Sequence, residues 1–300
     1  MDTLTVRSIL LHFALLLALS ACNLRALPPG PEVAAATAVA QTLQSSVAAT
    51  NEAAGHFPTA TALALPTNNP GLPTTNAGLS IPPGLATGIR SDLVPESRGA
   101  DVPVWDLHPA YTRITFEGYP LQGTALQPVI NIYPADSFSQ TSEAASLVIN
   151  DLKSLLASQG TQSTSMPFLP LQNASQVFFS NTARLSFQNG VGFRYLTQFD
   201  QAPLPVNNHE LIYTFQGLTQ DGRYYVAALL PVNTGFLHVD ANPQSPTPPD
   251  GIPFDWNDPQ MMPAYLQSVK QRLEGASPEV FVPNLTSLDA LIQSMKVDLP

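Results

Sequence analysis

Two dipeptides, Asn189-Gly190 and Asp221-Gly222, constrain this chain more than any other feature of it. Each lies inside a run rich in aromatic and β-branched residues, LSFQNGVGFRYLTQF (Leu185 to Phe199) and ELIYTFQGLTQDGRYYVAALLPV (Glu210 to Val232). A two-residue hairpin loop needs positive φ at both central positions, and Asn-Gly or Asp-Gly supplies it at least steric cost. Flanks of this composition suit a pleated, half-buried surface. The stretch Leu185 to Val232 is therefore predicted to form two successive β-hairpins at the centre of the fold. In the first, Val191, Phe193, Tyr195, Thr197 and Phe199 share a face, with Arg194 and Gln198 on the other. In the second, an Asp-Gly loop sets Phe215 opposite Ala228 and Tyr213 opposite Leu230, large against small.

The remaining elements follow from periodicity. Val102 to Leu107, Thr112 to Glu117 and Pro128 to Tyr133 read as short strands, and Gln176 to Ser180 as another. Along Thr141 to Ala157, the residues Ala145, Ile149, Leu152 and Leu156 recur at helical spacing, with Val148 and Leu155 widening the stripe. Ser137 or Ser139 is placed to cap that helix and Gly160 to end it. MPFLPLQN (Met166 to Asn173) reads as a loop pinned by proline, and SPTPPDGIPFDWNDP (Ser245 to Pro259) as a long acidic one. Two C-terminal helices are expected. One begins near Asp258-Pro259 or Pro263, carries Met262, Leu266, Val269 and Leu273, and stops at Gly275. The other begins at Thr286-Ser287-Leu288-Asp289, close to a capping box, and buries Leu288, Leu291, Ile292 and Met295. The predicted class is α+β, a mostly antiparallel sheet with flanking helices. The element order is similar to PsbP-like α/β/α sandwiches.

The N-terminus carries a different kind of signal. Met1 to Ala21 has a polar opening with Arg7 and then an apolar run from Ile9 to Leu19, the length of a signal-peptide core and too short for a permanent span. Leu19-Ser20-Ala21-Cys22 resembles the bacterial lipobox, which implies cleavage before Cys22 and a lipid anchor on it. An ordinary signal peptide cut near Ala21 is the alternative. Multiple acyl chains anchor where one chain does not. Cys22 is the single cysteine of the chain, so neither an intrachain disulfide nor a cysteine metal site is expected. No later segment approaches the apolar length of a membrane span.

From residue 22 to about residue 100 the chain is poor in large apolar residues and holds ten prolines. Such a composition buries too little surface to offset the entropy of ordering, so a disordered tether is predicted, with Val33 to Ala54 transiently helical. The assignment is thus a signal peptide over 1–21, a tether over 22–100 and a folded domain over 101–300. That domain is acidic, with eight Lys and Arg against seventeen Asp and Glu, a net charge of −9. Its cations are scattered singly, which disfavours nucleic acid and adhesion to anionic lipid.

The strings MPFLPLQNASQVFF, FQNGVGFRYLTQF and YTFQGLTQDGRYYVAALLPV resemble a family of bacterial lipoproteins of unassigned function from Chloroflexi-type organisms. The resemblance covers about Phe116 to Val232 and implies a lipoprotein, with no activity attached.

The chain has no Gly-x-Ser-x-Gly elbow, zinc helix, phosphate loop or dinucleotide fingerprint. His108, His209 and His238 lie in the domain. His209-Glu210 and His238-Val239-Asp240 each set a base beside a carboxylate, as a dyad or metal site would, although exposed loop residues look the same. Asp250, Asp255 and Asp258 crowd a loop with Asn257, an oxygen-rich cluster without the spacing of an EF-hand. Asn173 and Asn284 begin glycosylation sequons. Trp105, Tyr119, Tyr195, Tyr224 and Trp256 are candidates either for a ligand groove or for the core. No cofactor is expected. The leading functional expectation is a non-enzymatic domain, tethered to the extracytoplasmic face of the cell membrane through Cys22, that binds a small ligand or an envelope protein. The alternatives are an envelope hydrolase using His209 or His238, and an assembly factor for an envelope complex.

Overall fold

A computed structural model describes residues 76–158 and 164–298, all within a unit that runs from Pro70 to Pro300. The signal peptide, Cys22, most of the expected tether and Gly160 lie outside the described residues. In chain order the strands are β1 (Asn76–Gly78), β2 (Gly88–Val94), β3 (Tyr111–Glu117) and β4 (Val129–Pro134). Two helices follow, α1 (Ala135–Thr141) and α2 (Glu143–Ala157). Then come β5 (Ser175–Phe187), β6 (Gly190–Asp200), β7 (Ile212–Thr219), β8 (Tyr224–Pro231) and β9 (Asn233–Thr234). The chain closes with α3 (Met262–Glu274), β10 (Phe281–Val282), α4 (Leu285–Ser294) and β11 (Lys296–Asp298).

Seven strands form one sheet in the order β2-β3-β4-β8-β7-β6-β5, antiparallel at every junction. The class is α+β. Period-two alternation sends side chains to two faces, and each face has its own core. One face sets Ile114, Ile130, Leu196, Tyr213, Phe215 and Leu230 against α3 and α4. The other sets Tyr111, Tyr133, Tyr195, Tyr225 and Leu229 against α1 and α2. Helices therefore cover both faces, and β7 and β8 at the centre are buried almost throughout.

The second hairpin has the expected register, with Phe215 opposite Ala228 and Tyr213 opposite Leu230. Its turn is longer than two residues. The Gly222 N–H donates to Thr219 O at 2.9 Å, and only Gly222 of the Asp-Gly pair has positive φ, at 71°. Asp221 accepts from Thr219 Oγ1 at 2.6 Å and from the Arg223 N–H at 3.1 Å, which closes the loop without a second left-handed residue. A Cβ on Gly222 would meet nothing within 4 Å, so the constraint there is conformational alone. Gly222→Val should lower stability by about 1–2 kcal/mol in a urea melt, the cost of a β-branched residue at left-handed φ. An unchanged midpoint would contradict the turn geometry.

The first hairpin turns one residue earlier than expected. Phe187 pairs with Gly190, leaving Gln188 and Asn189 as the loop, and neither has positive φ. Asn189 is used instead for its side-chain amide, which donates to Val297 O at 2.7 Å and accepts from the Val297 N–H at 3.0 Å. The amide mimics a strand partner and fastens β11 to the hairpin tip.

Other expectations need correction. The domain begins before Asp101: β2 is an edge strand of the main sheet, and β1 pairs with β11. Because β2 is exposed over much of its length, its sequence lacks the apolar alternation of a covered strand. Val102 to Leu107 is no strand; it holds a single 3-10 turn, Val104–Asp106. The short strand expected at Gln176 to Ser180 is part of the 13-residue β5. The helix over Thr141 to Ala157 is preceded by a separate one, because Ser142 is extended and its Oγ accepts from the Ala145 N–H at 3.2 Å. The last helix is capped by Asn284, whose Oδ1 accepts from the Ser287 N–H at 2.7 Å, rather than by Thr286.

Asp289 is thereby free for a different task. Its carboxylate lies 3.2 Å from Arg194 Nε and accepts from the Tyr213 hydroxyl at 2.8 Å. Burial, followed by the Asp289 charge, holds the Tyr213 phenol far above its ordinary range, so it stays a donor. Arg194 also donates to Asn181 O, and Asn181 Nδ2 donates to Leu273 O at 3.0 Å, in the last turn of α3. Asn181 sits at a register shift in β5 with φ of 51°, a conformation asparagine tolerates. These few polar groups dock both C-terminal helices on the sheet. On the opposite face Gln216 holds both backbone groups of Leu169, and the Tyr195 hydroxyl donates to Pro167 O at 2.7 Å, which fixes the proline-rich loop.

Candidate ligand-binding site

The acidic loop before α3 folds back against that helix and leaves a cleft of ≈ 520 Å³, within the range of small-molecule sites. Its walls are Ile252, Pro253, Phe254 and Trp256 on the loop, with Met261, Met262, Ala264, Tyr265 and Ser268 on the helix side. Two small residues one turn apart, Ala264 and Ser268, leave the helix surface open there. The loop is shaped by its own aspartates. Asp255 Oδ1 accepts from the Asn257 N–H at 2.9 Å, and Asp258 Oδ1 from the Gln260 N–H at 3.0 Å. These turns set Trp256 edge-on to Phe254, with centroids 5.0 Å apart at 82°. Phe254 in turn meets Tyr265 at 5.0 Å and 74°. Edge-to-face contacts of this kind stabilise beyond the area they bury.

Tyr265 joins the cleft to the core. It is 7% exposed, burial raises its phenol above the ordinary range, and its oxygen accepts from the Val206 N–H at 3.1 Å. Val206 belongs to the β6–β7 connection, which a polar network holds in place. Gln198 Nε2 donates to Asp200 Oδ2 at 2.7 Å and to Glu210 Oε2 at 3.1 Å, while Asn207 Nδ2 donates to Glu210 Oε2 at 2.7 Å. Two carboxyl groups thus share one amide. Burial, and then the neighbouring Glu210, push the Asp200 carboxyl up to about 6, despite the lowering effect of Gln198.

The raised value fixes a sign. The folded state holds the Asp200 proton more tightly than the unfolded chain, so its contribution to stability is full below the ordinary value of 3.8. It is lost as pH rises towards about 6. Asp200→Asn keeps the acceptor for Gln198 and gives Glu210 a permanent donor. The variant should match the parent in urea at pH 4 and exceed it by about 1–2 kcal/mol at pH 7.5. A difference independent of pH would contradict the raised Asp200 carboxyl.

The residues singled out from sequence are distributed as follows. Trp256, Asp255, Asn257 and Asp258 line the cleft, while Asp250 is not among its lining residues. Trp105 is 40% exposed on its 3-10 turn, Tyr119 and Tyr195 are core residues, and Tyr224 is half-buried, so no common groove unites the aromatics. His108 stacks edge-on against Tyr111. His209 is exposed, and His238 is 3% exposed with its Nε2 unpartnered among the described residues. Ser245 donates to Asp240 at 2.7 Å, not to a histidine. Among the described residues no three His, Cys, Asp or Glu side chains group as a metal site, and no helix is long and apolar enough to cross a membrane. Asn284 acts as a helix cap.

Sequence reasoning missed Phe254, Met261 and Tyr265 as cleft residues, and missed the Asp200–Glu210 pair. The spacing Phe254-x-Trp256 was the available signal for the first. Nothing local marks the second, since the two acids meet across a loop. A larger cleft of ≈ 600 Å³ lies between α2 and the Ser165 to Ala174 loop. Compared with known proteins, the chain matches no family model, no curated protein and no solved structure.

Proposed function

We propose that this chain is a lipid-anchored binding protein of the extracytoplasmic membrane face, acylated at Cys22, with its ligand site in the cleft between Phe254, Trp256 and α3. The observation that carries the binding role is the cleft itself: an aromatic-walled concavity beside a rigid helix, with a few polar groups on its rim. The lipobox-like Leu19-Ser20-Ala21-Cys22 supports the anchor, and the proline-rich segment behind it serves as a spacer. The arrangement suits capture rather than turnover, because the cleft presents two carboxylates already engaged in turns and neither His209 nor His238.

Two measurements test this. Cys22→Ser should abolish incorporation of labelled fatty acid and leave unprocessed precursor, since the chain has no other thiol; label retained by the variant would refute the anchor. The full chain, extracted from membranes in mild detergent, should carry a co-purifying small molecule that Trp256→Ala loses. Identical small-molecule content in both proteins would refute the cleft as the ligand site.

A further inference from the structure

Resting on that reading of the cleft, we propose that its ligand is an organic cation, a quaternary or tertiary ammonium compound seated against Trp256 and Phe254, with Asp255 and Asp258 as counter-charges. Four aromatic rings elsewhere in the domain carry a protein cation over their faces. Arg113 lies over Tyr111, Arg223 over Tyr224, Lys270 over Phe179 and Arg272 over Phe236, at 4.9 to 5.5 Å from the ring centroids. Among the described residues, Phe254 and Trp256 have no such cation, and no Lys, Arg or His lines their cleft. The aromatic walls are therefore open to a cation from outside, and tryptophan is the strongest partner for one.

Electrostatics sets the sign of the ligand. The amino end of α3 contributes roughly half a positive charge to the site. Two full carboxylate charges outweigh it, in a domain already strongly acidic. Each aspartate commits Oδ1 to a turn N–H and keeps its second oxygen for another contact. The apolar walls select the kind of cation. A small metal ion would need several oxygen ligands in place of Ile252, Met261 and Met262. A weakly hydrated organic cation instead loses little on leaving water and gains the ring faces.

The test uses the full chain in detergent with Trp105→Phe, so that Trp256 is the only indole emitter, two tryptophans being present in all. Benzyltrimethylammonium is titrated against neopentylbenzene, its neutral isostere. The cation should quench Trp256 saturably, bind at least about tenfold more tightly than the isostere, and weaken as salt is raised. Asp255→Asn, which keeps the acceptor for the Asn257 N–H, should lower its affinity several-fold with the starting emission unchanged. Equal binding of the two probes would overturn the cation while leaving the cleft as a binding site. No response to either probe, in a protein stripped of its Trp256-dependent small molecule and able to take that molecule up again, would likewise overturn the cation alone. Loss of the co-purifying molecule's dependence on Trp256 is the separate result that removes the binding reading itself.

Discussion

Gly192→Ala should cost the domain about 3 kcal/mol or more and leave much of it unfolded under mild denaturant, although alanine is the smallest possible change. Gly192 on β6 faces Gly217 on β7 across the sheet. A Cβ at Gly192 would lie 2.3 Å from Gln216 O, 2.5 Å from the Gly217 Cα and 2.6 Å from the Phe215 ring. A Cβ at Gly217 would meet the same ring at 2.5 Å. Phe215 is fully buried and lies across this paired gap, edge-on to Phe187 at 5.9 Å. Two of the three obstructing atoms at Gly192 are backbone, so relief requires the central strands to part rather than a side chain to rotate. Gly235→Ala provides the control, since nothing lies within 4 Å of its Cβ and its φ is not positive; its midpoint should stay within error. Equal melts for the two variants would refute the packing of Phe215 over the glycine pair.

Asp289→Ala should destabilise the domain by about 2–4 kcal/mol, more than an exposed ion pair contributes. Arg194 and Asp289 side chains are only 16% and 21% exposed. Removing the carboxylate strands a half-buried guanidinium and takes the acceptor from the fully buried Tyr213 hydroxyl. The double variant Arg194→Met, Asp289→Leu should recover a large part of the loss, because neither charge then remains without its partner. Additive losses in the cycle would mean that the two residues act independently and that α4 is held by its apolar face alone.

Both expectations arise from residues whose importance is unequally visible in sequence. The pairing of Phe215 with Ala228 and of Tyr213 with Leu230 could be read directly, because alternation and a turn signal together fix a register. Asn189-Gly190 reads as turn chemistry, yet Gly190, like Gly192 two residues on, serves sterics, clearing space for Phe187 and Phe215. Local pattern cannot separate these two uses of glycine; only the position of the covering ring does. The edge strand Gly88–Val94 was hidden for a related reason, since a strand paired on one side and largely exposed carries no burial pattern.

The cleft was half legible. Proline and aspartate density marked its loop, and Trp256 stood out as a candidate. Its helix side was assigned to the core through Met262 and Leu266, with no sign that Met261 would remain 52% exposed or that Tyr265 would face the loop. The Asp200–Glu210 pair depends on a loop that returns the chain to its starting point, a tertiary event that no short motif encodes.

The most direct test of a binding role follows the methionine methyl signals of the full chain during titration with the small-molecule extract of the cells that make it. Met261 and Met262 line the proposed cleft, Met166 lines the other, and Met295 is sealed in the core. The account predicts saturable shifts of Met261 and Met262 that Trp256→Ala abolishes, with Met166 and Met295 unmoved. Shifts at Met166 with Met261 and Met262 silent would place the ligand elsewhere and contradict it.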